Sequence, residues 1–281
     1  MVDPGTGLTV LGGALGSKDL VVKILGPTAD YLGAGLANWT ERAVENTGRV
    51  FQKAAKKLGN KLEDPGTVPP KVLKGILENA PFCNDELGAE YFGGVLASSR
   101  SGTERDDRGA AFIALLGRLS TYQIRSHFFF YKIIRMLYQG LAENVGVHEG
   151  REKLETFVPM NAYAIAMELG KNENLYMILT HVTFGLSREA LIGREFLFGS
   201  PESLRSLYYN ADVNGLLFMP SALGIELFLW VHGKRDLNLN TLLDPEIDIA
   251  VDIQISTGPG IRSTRFPDRK LSDLPKGSLT E

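Results

Sequence analysis

The side chains most often used for catalysis and metal binding are few and scattered in this sequence. It holds four histidines, far apart from one another: His127, His148, His181 and His232. Only His148, with Glu149 and Glu152 close by, places an imidazole and carboxylates within one helical turn. A zinc site needs at least a third converging ligand, and this segment offers none nearby. We therefore predict no metal site, and exposed polar residues at 148–152.

The single cysteine, Cys83, excludes an intrachain disulfide and any zinc site built from several cysteines. It precedes a predicted helix N-terminus, a position that can lower the pKa of a thiol. The sequence places no base beside it, so we predict a partly buried, structural thiol. No G-x-S-x-G nucleophile motif is present. The residues thus predict a protein that is not an enzyme and needs no cofactor.

A basic helical segment is the first candidate binding surface. It carries cations at helical spacing, and we take five as candidate contacts: Arg42, Arg49, Lys53, Lys56 and Lys57. Such a face could meet phosphate, an anionic membrane surface or only water. We favour the solvated face, because exposed lysine and arginine are the default on helix surfaces.

Composition limits the class of protein. A net charge of −3 and a pI near 5.9 argue against wholesale nucleic-acid binding. The first 16 residues lack the basic and apolar regions of a secretory signal, and the longest apolar stretch, 215–233, is interrupted by Pro220, Glu226 and His232. We expect a cytoplasmic protein; a location peripheral to the inner membrane is the variant left open.

The stretch 81–141 is the most densely apolar at helical spacing, and we expect it to form the scaffold. Before it, Gly26-Pro27 predicts a break between two helices, and Pro70 suits the first turn of another. Asn84 is the expected cap of the helix that runs to about Ser99. Further helices are predicted at 110–119 and beyond 120.

The helix after Ser120 has a capping-box pattern, with Gln123 three residues later. It carries Phe128-Phe129-Phe130-Tyr131, four aromatic residues in a row that cover all sides of a helix. We predict that they are buried in the core. The alternative is a stacking platform for nucleic-acid bases, which neighbouring positions around a helix cannot readily form.

A family resemblance rests on three runs: Val68-Pro69-Pro70-Lys71-Val72-Leu73-Lys74-Gly75-Ile76-Leu77-Glu78-Asn79-Ala80, then Asp85-Glu86-Leu87 leading to Val95-Leu96-Ala97-Ser98, and Phe112-Ile113-Ala114-Leu115-Leu116-Gly117-Arg118-Leu119-Ser120. With Ile24-Leu25-Gly26-Pro27-Thr28-Ala29-Asp30 upstream, residues 18–232 resemble the bacterial Abi-alpha abortive-infection family of phage-exclusion proteins. Members often carry a tryptophan where this chain has Tyr91-Phe92. The resemblance implies a role in phage defence, and it supplies no active-site residues.

The C-terminal region holds the second candidate surface. Helices are predicted at 154–169, 173–184, 187–192 and 203–209, followed by an extended Leu216-Leu217-Phe218 and a terminal helix. From 186 to 230 this order resembles a winged helix, in which 187–196 would be the recognition helix. Arg188 and Arg194 would then contact DNA. Glu189 and Glu195 beside them favour structural surface charge instead.

Alternation of apolar residues predicts a strand at 244–256, paired with Leu216-Leu217-Phe218 or with another subunit. The fold class is therefore mainly α: a multi-helix bundle, then a winged-helix-like helical region with a short β element near the C-terminus. The expected segments are an arm at 1–17, an amphipathic region at 18–66, a helical core at 67–145, a C-terminal region at 146–256 and a disordered tail at 257–281.

The expected function is non-enzymatic antiphage defence through protein or membrane contacts, with a winged-helix DNA-binding regulator as the alternative. The expected partner is an unknown protein, for example one from the phage, and a homo-oligomer stays open. A membrane surface or DNA is not favoured as the partner.

Overall fold

A computed structural model describes residues 9, 12–13, 18–27, 29, 40–103, 105–205, 209–249 and 253–273. These residues are mainly α-helical, with a small four-stranded sheet, which confirms the expected fold class at that level. The chain divides into two compact units: residues 1–119 with 230–235, and residues 120–229 with 236–281. The predicted arm, 1–17, lies outside the described residues except at positions 9, 12 and 13.

In its described part, the first unit holds five helices: α1 (Lys18–Leu25), α2 (Glu41–Leu58), α3 (Pro70–Asn79), α4 (Glu86–Ser99) and α5 (Gly109–Leu116). The predicted break after α1 and the first-turn Pro70 are confirmed. The predicted cap of α4 is wrong by one residue. The Asp85 carboxylate, 2.7 Å away, accepts the N–H of Gly88, whereas the Asn84 side chain accepts from Asn46 at 3.1 Å.

Helix α4 packs closely on its neighbours because it carries glycine at two contact points. A Cβ atom at Gly93 would lie 2.7 Å from the carbonyl oxygen of Val50 in α2. At Gly94 it would lie 1.9 Å from the carbonyl oxygen of Val231. Both distances are shorter than non-bonded atoms allow, so the close approach of the backbones requires glycine.

Arg100 holds the chain at 61–64, between α2 and α3, on this unit. The guanidinium, just past the end of α4, donates to four backbone carbonyl oxygens, those of Lys23, Lys61, Leu62 and Asp64. One side chain thereby anchors both the end of α1 and the segment that follows α2.

The second unit is built around α6 (Thr121–Tyr138), which begins with the predicted capping box of Ser120 and Gln123. The described helices that follow are α7 (His148–Glu152), α8 (Met160–Met167), α9 (Leu175–Arg188), α10 (Pro201–Arg205) and α11 (Ala222–Val231). The last two residues of α11 belong to the first unit.

The four consecutive aromatic residues of α6 are buried, as predicted. The ring of Phe130 stacks on Phe218 at 4.3 Å between centroids and on Tyr163 at 6.1 Å. Tyr131 donates to the carbonyl oxygen of Leu191 at 2.8 Å. The alternative of an accessible stacking platform is wrong, because these rings are already occupied by protein neighbours.

The strands of the sheet are β1 (Thr156–Pro159), β2 (Leu197–Gly199), β3 (Gly215–Phe218) and β4 (Arg262–Ser263). Their order in the sheet is β2, β3, β1, β4, and the described pairs are antiparallel. The extended segment at 216–218 is confirmed as part of β3. The helix predicted across 154–169 is wrong at its start, because a short apolar run can form either element and pairing with β3 decides for a strand.

The strand predicted at 244–256 is absent from its described residues, 244–249 and 253–256. The Arg135 guanidinium, on α6, donates hydrogen bonds to backbone carbonyl oxygens in this segment, among them those of Asp244 and Ile247. The fourth strand forms further along, where Thr156 and Phe157 of β1 pair with β4. This strand lies within the tail expected at 257–281, of which residues 257–273 are described and residues 274–281 lie outside the described part.

The winged-helix arrangement is not confirmed. The recognition helix predicted at 187–196 does not form, because α9 ends at Arg188 and residues 189–196 are turns and irregular backbone. Two side chains distant in sequence donate hydrogen bonds here: the Tyr131 hydroxyl to the carbonyl oxygen of Leu191, and the Ser221 hydroxyl to that of Ala190. These carbonyl oxygens therefore serve side chains and do not continue the helix.

Candidate functional site

The five candidate cations of α2 fall into two groups. Arg49, Lys53 and Lys57 form ion pairs with two glutamates of α4. Arg42 and Lys56 lie on the exposed side. The favoured prediction, a solvated basic face, is therefore wrong for three of the five residues, which are structural partners of α4.

Glu90 is the centre of this arrangement, with a side chain only 3% exposed. Lys53 Nζ lies 2.9 Å from one carboxylate oxygen, and Lys57 Nζ lies 2.7 Å from the other. A buried carboxylate is very costly unless it is paired, and here each oxygen has its own ammonium partner. We call Lys53, Lys57 and Glu90 the buried charge cluster.

Arg49 extends the contact toward the start of α4. Its guanidinium donates to the Asn46 amide oxygen at 2.6 Å, the Cys83 carbonyl at 3.1 Å and the Glu86 carboxylate at 3.2 Å. Burial alone would raise the pKa of Glu86, but hydrogen bonds from Lys53 and Arg49 outweigh it and lower that pKa. Arg49 therefore works as a connector between the two helices.

Burial likewise opposes the charge of Lys53, yet its carboxylate partners Glu90 and Glu86 raise its pKa above the ordinary value. Lys53 thus stays protonated, so the ion pairs persist across the neutral range. The sequence did carry a signal for them: Glu86 and Glu90 are one helical turn apart on a helix made otherwise of small and apolar residues.

An open cleft of about 690 Å³ lies beside these contacts. Its lining includes Arg42 and Arg49, but also Glu41 and Glu45. Opposite charges alternate along the walls, so the cleft lacks the single-sign potential that concentrates phosphate or nucleic acid.

The two arginine candidates of the second unit do not share a helix. Arg188 is the last residue of α9, and its Nε atom lies 3.2 Å from the carboxylate of Glu189. Arg194 lies exposed in the irregular segment that follows. Together they do not present the basic helix face that reading a DNA groove requires.

Helix α9 carries a feature that the sequence reasoning missed. Its outer side exposes apolar side chains, with Met177 71%, Phe184 61% and Tyr176 47% exposed. Thr180 and His181 lie between them and are also exposed. We call these five residues the α9 face.

Packing fixes the orientation of the α9 face. Leu179, Val182 and Leu186 are buried on the opposite side of the helix. The ring of Phe196 meets Phe184 edge-on at 5.1 Å. The sequence signal was available: between Leu175 and Ser187 no residue is charged, although one side of the helix lies in water.

A serine and a histidine distant in sequence come together at the start of α6. Ser120 Oγ lies 2.9 Å from His181 Nε2, a distance suited to proton transfer between nucleophile and base. The same oxygen accepts the N–H of Gln123 as the helix cap. Within the described residues no carboxylate bonds the His181 ring. The geometry is that of a helix cap with a histidine neighbour.

The remaining chemical candidates stay separate. His148 pairs with Glu152 at 3.2 Å on the surface, and no three His, Cys, Asp or Glu side chains converge on a metal position in the described part of the chain. Cys83 is buried, and burial raises the pKa of its thiol to about 12. It is an unreactive, structural thiol, more deeply buried than predicted.

Comparison of the chain with protein-family models, curated proteins and solved structures found no match. None of the described helices has the length and hydropathy needed to cross a bilayer.

Proposed function

We propose that this chain is a bacterial antiphage defence protein of the abortive-infection kind that acts in the cytoplasm, without enzymatic chemistry, through protein contacts. Two observations support the proposal. One is the resemblance of residues 18–232 to the Abi-alpha family. The other is the α9 face, and this observation carries the choice of protein contact over the alternatives.

The reason lies in the cost of exposing apolar side chains. Single exposed apolar residues are ordinary on a protein surface, whereas Tyr176, Met177 and Phe184 lie together along one side of one helix. Aromatic residues and methionine are enriched at the centres of protein interfaces. Burying them against a partner would gain the hydrophobic free energy that the isolated chain forgoes.

The DNA-binding alternative rests on the winged-helix resemblance of residues 186–230, with Arg188 and Arg194 as contacts, and on the α2 cations. Arg188 and Arg194 lie on different elements, and Glu86 and Glu90 pair with three of the five α2 cations. A gel shift addresses it directly. We expect no binding to double-stranded DNA even at low ionic strength, where phosphate contacts are strongest. A salt-dependent shift that the Arg42→Ala/Lys56→Ala variant weakens would favour the alternative.

The proposed function is tested by plating a diverse panel of phages on a sensitive host that expresses the chain. We expect fewer plaques for at least one phage than on the host with the empty vector. Equal plaque numbers across the whole panel, with the protein present at a verified level, would contradict the proposal.

A further inference from the structure

The α9 face has an internal symmetry. Met177 and Phe184 are equidistant in sequence from the midpoint between Thr180 and His181. Glu173, just before the helix, and Arg188, at its end, are equidistant from the same midpoint. All six residues are exposed. A two-fold axis through the midpoint would exchange each residue for the one at the mirrored distance.

Helical spacing places these residues on one stripe. Positions 177, 180, 184 and 188 of α9 are separated by three or four residues, the steps that keep side chains on the same side of a helix, and Glu173 lies four residues before Met177. The ends of the stripe carry opposite charges, and its centre carries none.

We propose that α9 pairs in antiparallel orientation with α9 of a second copy of this chain, around a two-fold axis at Thr180 and His181. Met177 of each copy then packs on Phe184 of the other, a favourable contact between sulfur and an aromatic ring. Glu173 of each copy faces Arg188 of the other at both ends of the interface.

Charge complementarity favours a second copy of this chain as the partner and the antiparallel orientation of the two α9 helices. In a parallel pair Glu173 would face Glu173 and Arg188 would face Arg188, and like charges in contact oppose association. In the antiparallel pair both ends are attractive. The interface is isologous, as in most homodimers, so it closes after two copies.

The size of the surface sets the strength of the dimer. Stable interfaces bury about 800 Å² on each partner, and a single helix of 14 residues with a few neighbours such as Phe196 offers an area at or below that value. The dimer is therefore weak and depends on protein concentration.

The inference rests on the proposed function only for choosing the α9 face as a contact surface, and its test involves no phage.

Sedimentation equilibrium of the full chain over a range of concentrations is the first test. We expect a reversible monomer and dimer equilibrium, whose dissociation constant rises at least about tenfold in Met177→Asp, because a central apolar anchor is replaced by a charge. Phe82→Asp is the matched control: Phe82 is 80% exposed but lies outside the α9 face, so its dimerisation should equal that of the wild type.

A charge-reversal series then tests the pairing itself. Glu173→Arg and Arg188→Glu should each weaken the dimer, and the double variant should restore it. Glu173 also accepts hydrogen bonds from Tyr122 and Gly170, so circular dichroism must first show that each variant is folded. If both single variants are folded and dimerise like the wild type, or the double variant stays as weak as the singles, the pairing is wrong.

Crosslinking distinguishes the orientations. In a Cys83→Ala background, Met177→Cys and Phe184→Cys chains should form a mixed disulfide when oxidised together. Crosslinking of Met177→Cys only to itself would overturn the antiparallel arrangement. A wild type that stays monomeric at all concentrations would overturn the inference, and binding of that monomer to neutral liposomes would assign the α9 face to lipid. A monomeric wild type and liposome binding would each overturn the dimer but leave the defence proposal standing, because that proposal is tested by plaque numbers.

Discussion

Helices α2 and α9 depart in opposite ways from the rule that charge faces water and apolar side chains face the core. Helix α2 turns Lys53 and Lys57 inward onto a buried carboxylate. Helix α9 turns Met177 and Phe184 outward. Helix α2 has the partner for its charges on α4, whereas we propose that α9 obtains the partner for its apolar face from a second copy of the chain.

Residue type alone therefore did not predict which side of either helix faces water. The basic residues of α2 were candidate contacts because cations commonly bind phosphate. Lys53 and Lys57 pair instead with Glu90, a residue far from them in sequence. The uncharged side of α9 was not predicted as a contact surface, because an apolar helix face usually belongs to the core. Position relative to neighbouring elements decides both cases.

Removal of Glu90 should have the largest effect. Glu90→Ala leaves two ammonium groups without their shared carboxylate, and we expect a loss of about 3 kcal/mol or more in the free energy of unfolding. Urea denaturation measures it. Glu45→Ala, at an exposed position of α2, should change stability by less than about 0.5 kcal/mol.

Replacing the whole buried charge cluster by apolar residues sharpens this prediction. Glu90→Leu with Lys53→Met and Lys57→Met should recover most of the lost stability, since well-packed apolar residues often replace a buried ion pair without cost. A Glu90→Ala variant as stable as the Glu45→Ala control would show that the cluster is not structural.

Gly94→Ala should come next. The added methyl group would overlap the carbonyl oxygen of Val231, so the two backbones must separate, and we expect a loss of about 1–3 kcal/mol. Thermal unfolding followed by circular dichroism checks this. Gly102→Ala is the control, because a Cβ atom there meets nothing within 4 Å. Equal melting temperatures for the two variants would refute the close packing of α4.

The pairing of Glu86 should give a smaller, pH-dependent effect. The pKa of Glu86 in the folded chain lies below its ordinary value of 4.5, so its contribution is present above pH 4.5 and is lost as pH falls through the folded pKa. The carboxylate is largely exposed, so the difference in unfolding free energy between wild type and Glu86→Gln should not exceed about 1 kcal/mol. Urea titrations at pH 7 and pH 3 measure it; a difference that grew on acidification would have the wrong sign.

Met177→Asp should have the smallest effect on the stability of the monomer. The side chain is exposed, so the change in unfolding free energy at concentrations below the dimer range should stay within about 0.5 kcal/mol. A loss above 2 kcal/mol would mean that the α9 face is covered within the chain, and it would remove the contrast with α2.

Local signals in the sequence predicted much of the fold. The Ser120 capping box, the first-turn Pro70 and the buried aromatic run of α6 depend on residues a few positions apart, and all three are confirmed. The failures involve distant partners. Strand β1 exists because β3 pairs with it, and Arg135 removes the backbone acceptors that a strand at 244–256 would need.

The candidate site was harder to predict for the same reason. The sequence predicted five candidate cations on α2 and did not separate Arg49, Lys53 and Lys57 from Arg42 and Lys56. It also did not predict that Glu86 and Glu90 pair with those three, because no local pattern aligns α2 with α4. The closeness of Ser120 and His181 likewise depends on how α9 packs on α6. The proposed segment boundaries and the phage-defence role remain predictions.

The most direct test compares the two helices in the cell. Efficiency of phage plating should be measured at matched protein levels for the wild type, for Met177→Asp and for Arg42→Ala/Lys56→Ala. If the α9 face is the working surface and α2 is structural, the wild type and the α2 variant reduce plating equally, and Met177→Asp loses the reduction. Full protection by Met177→Asp, with loss in the α2 variant, would contradict this assignment.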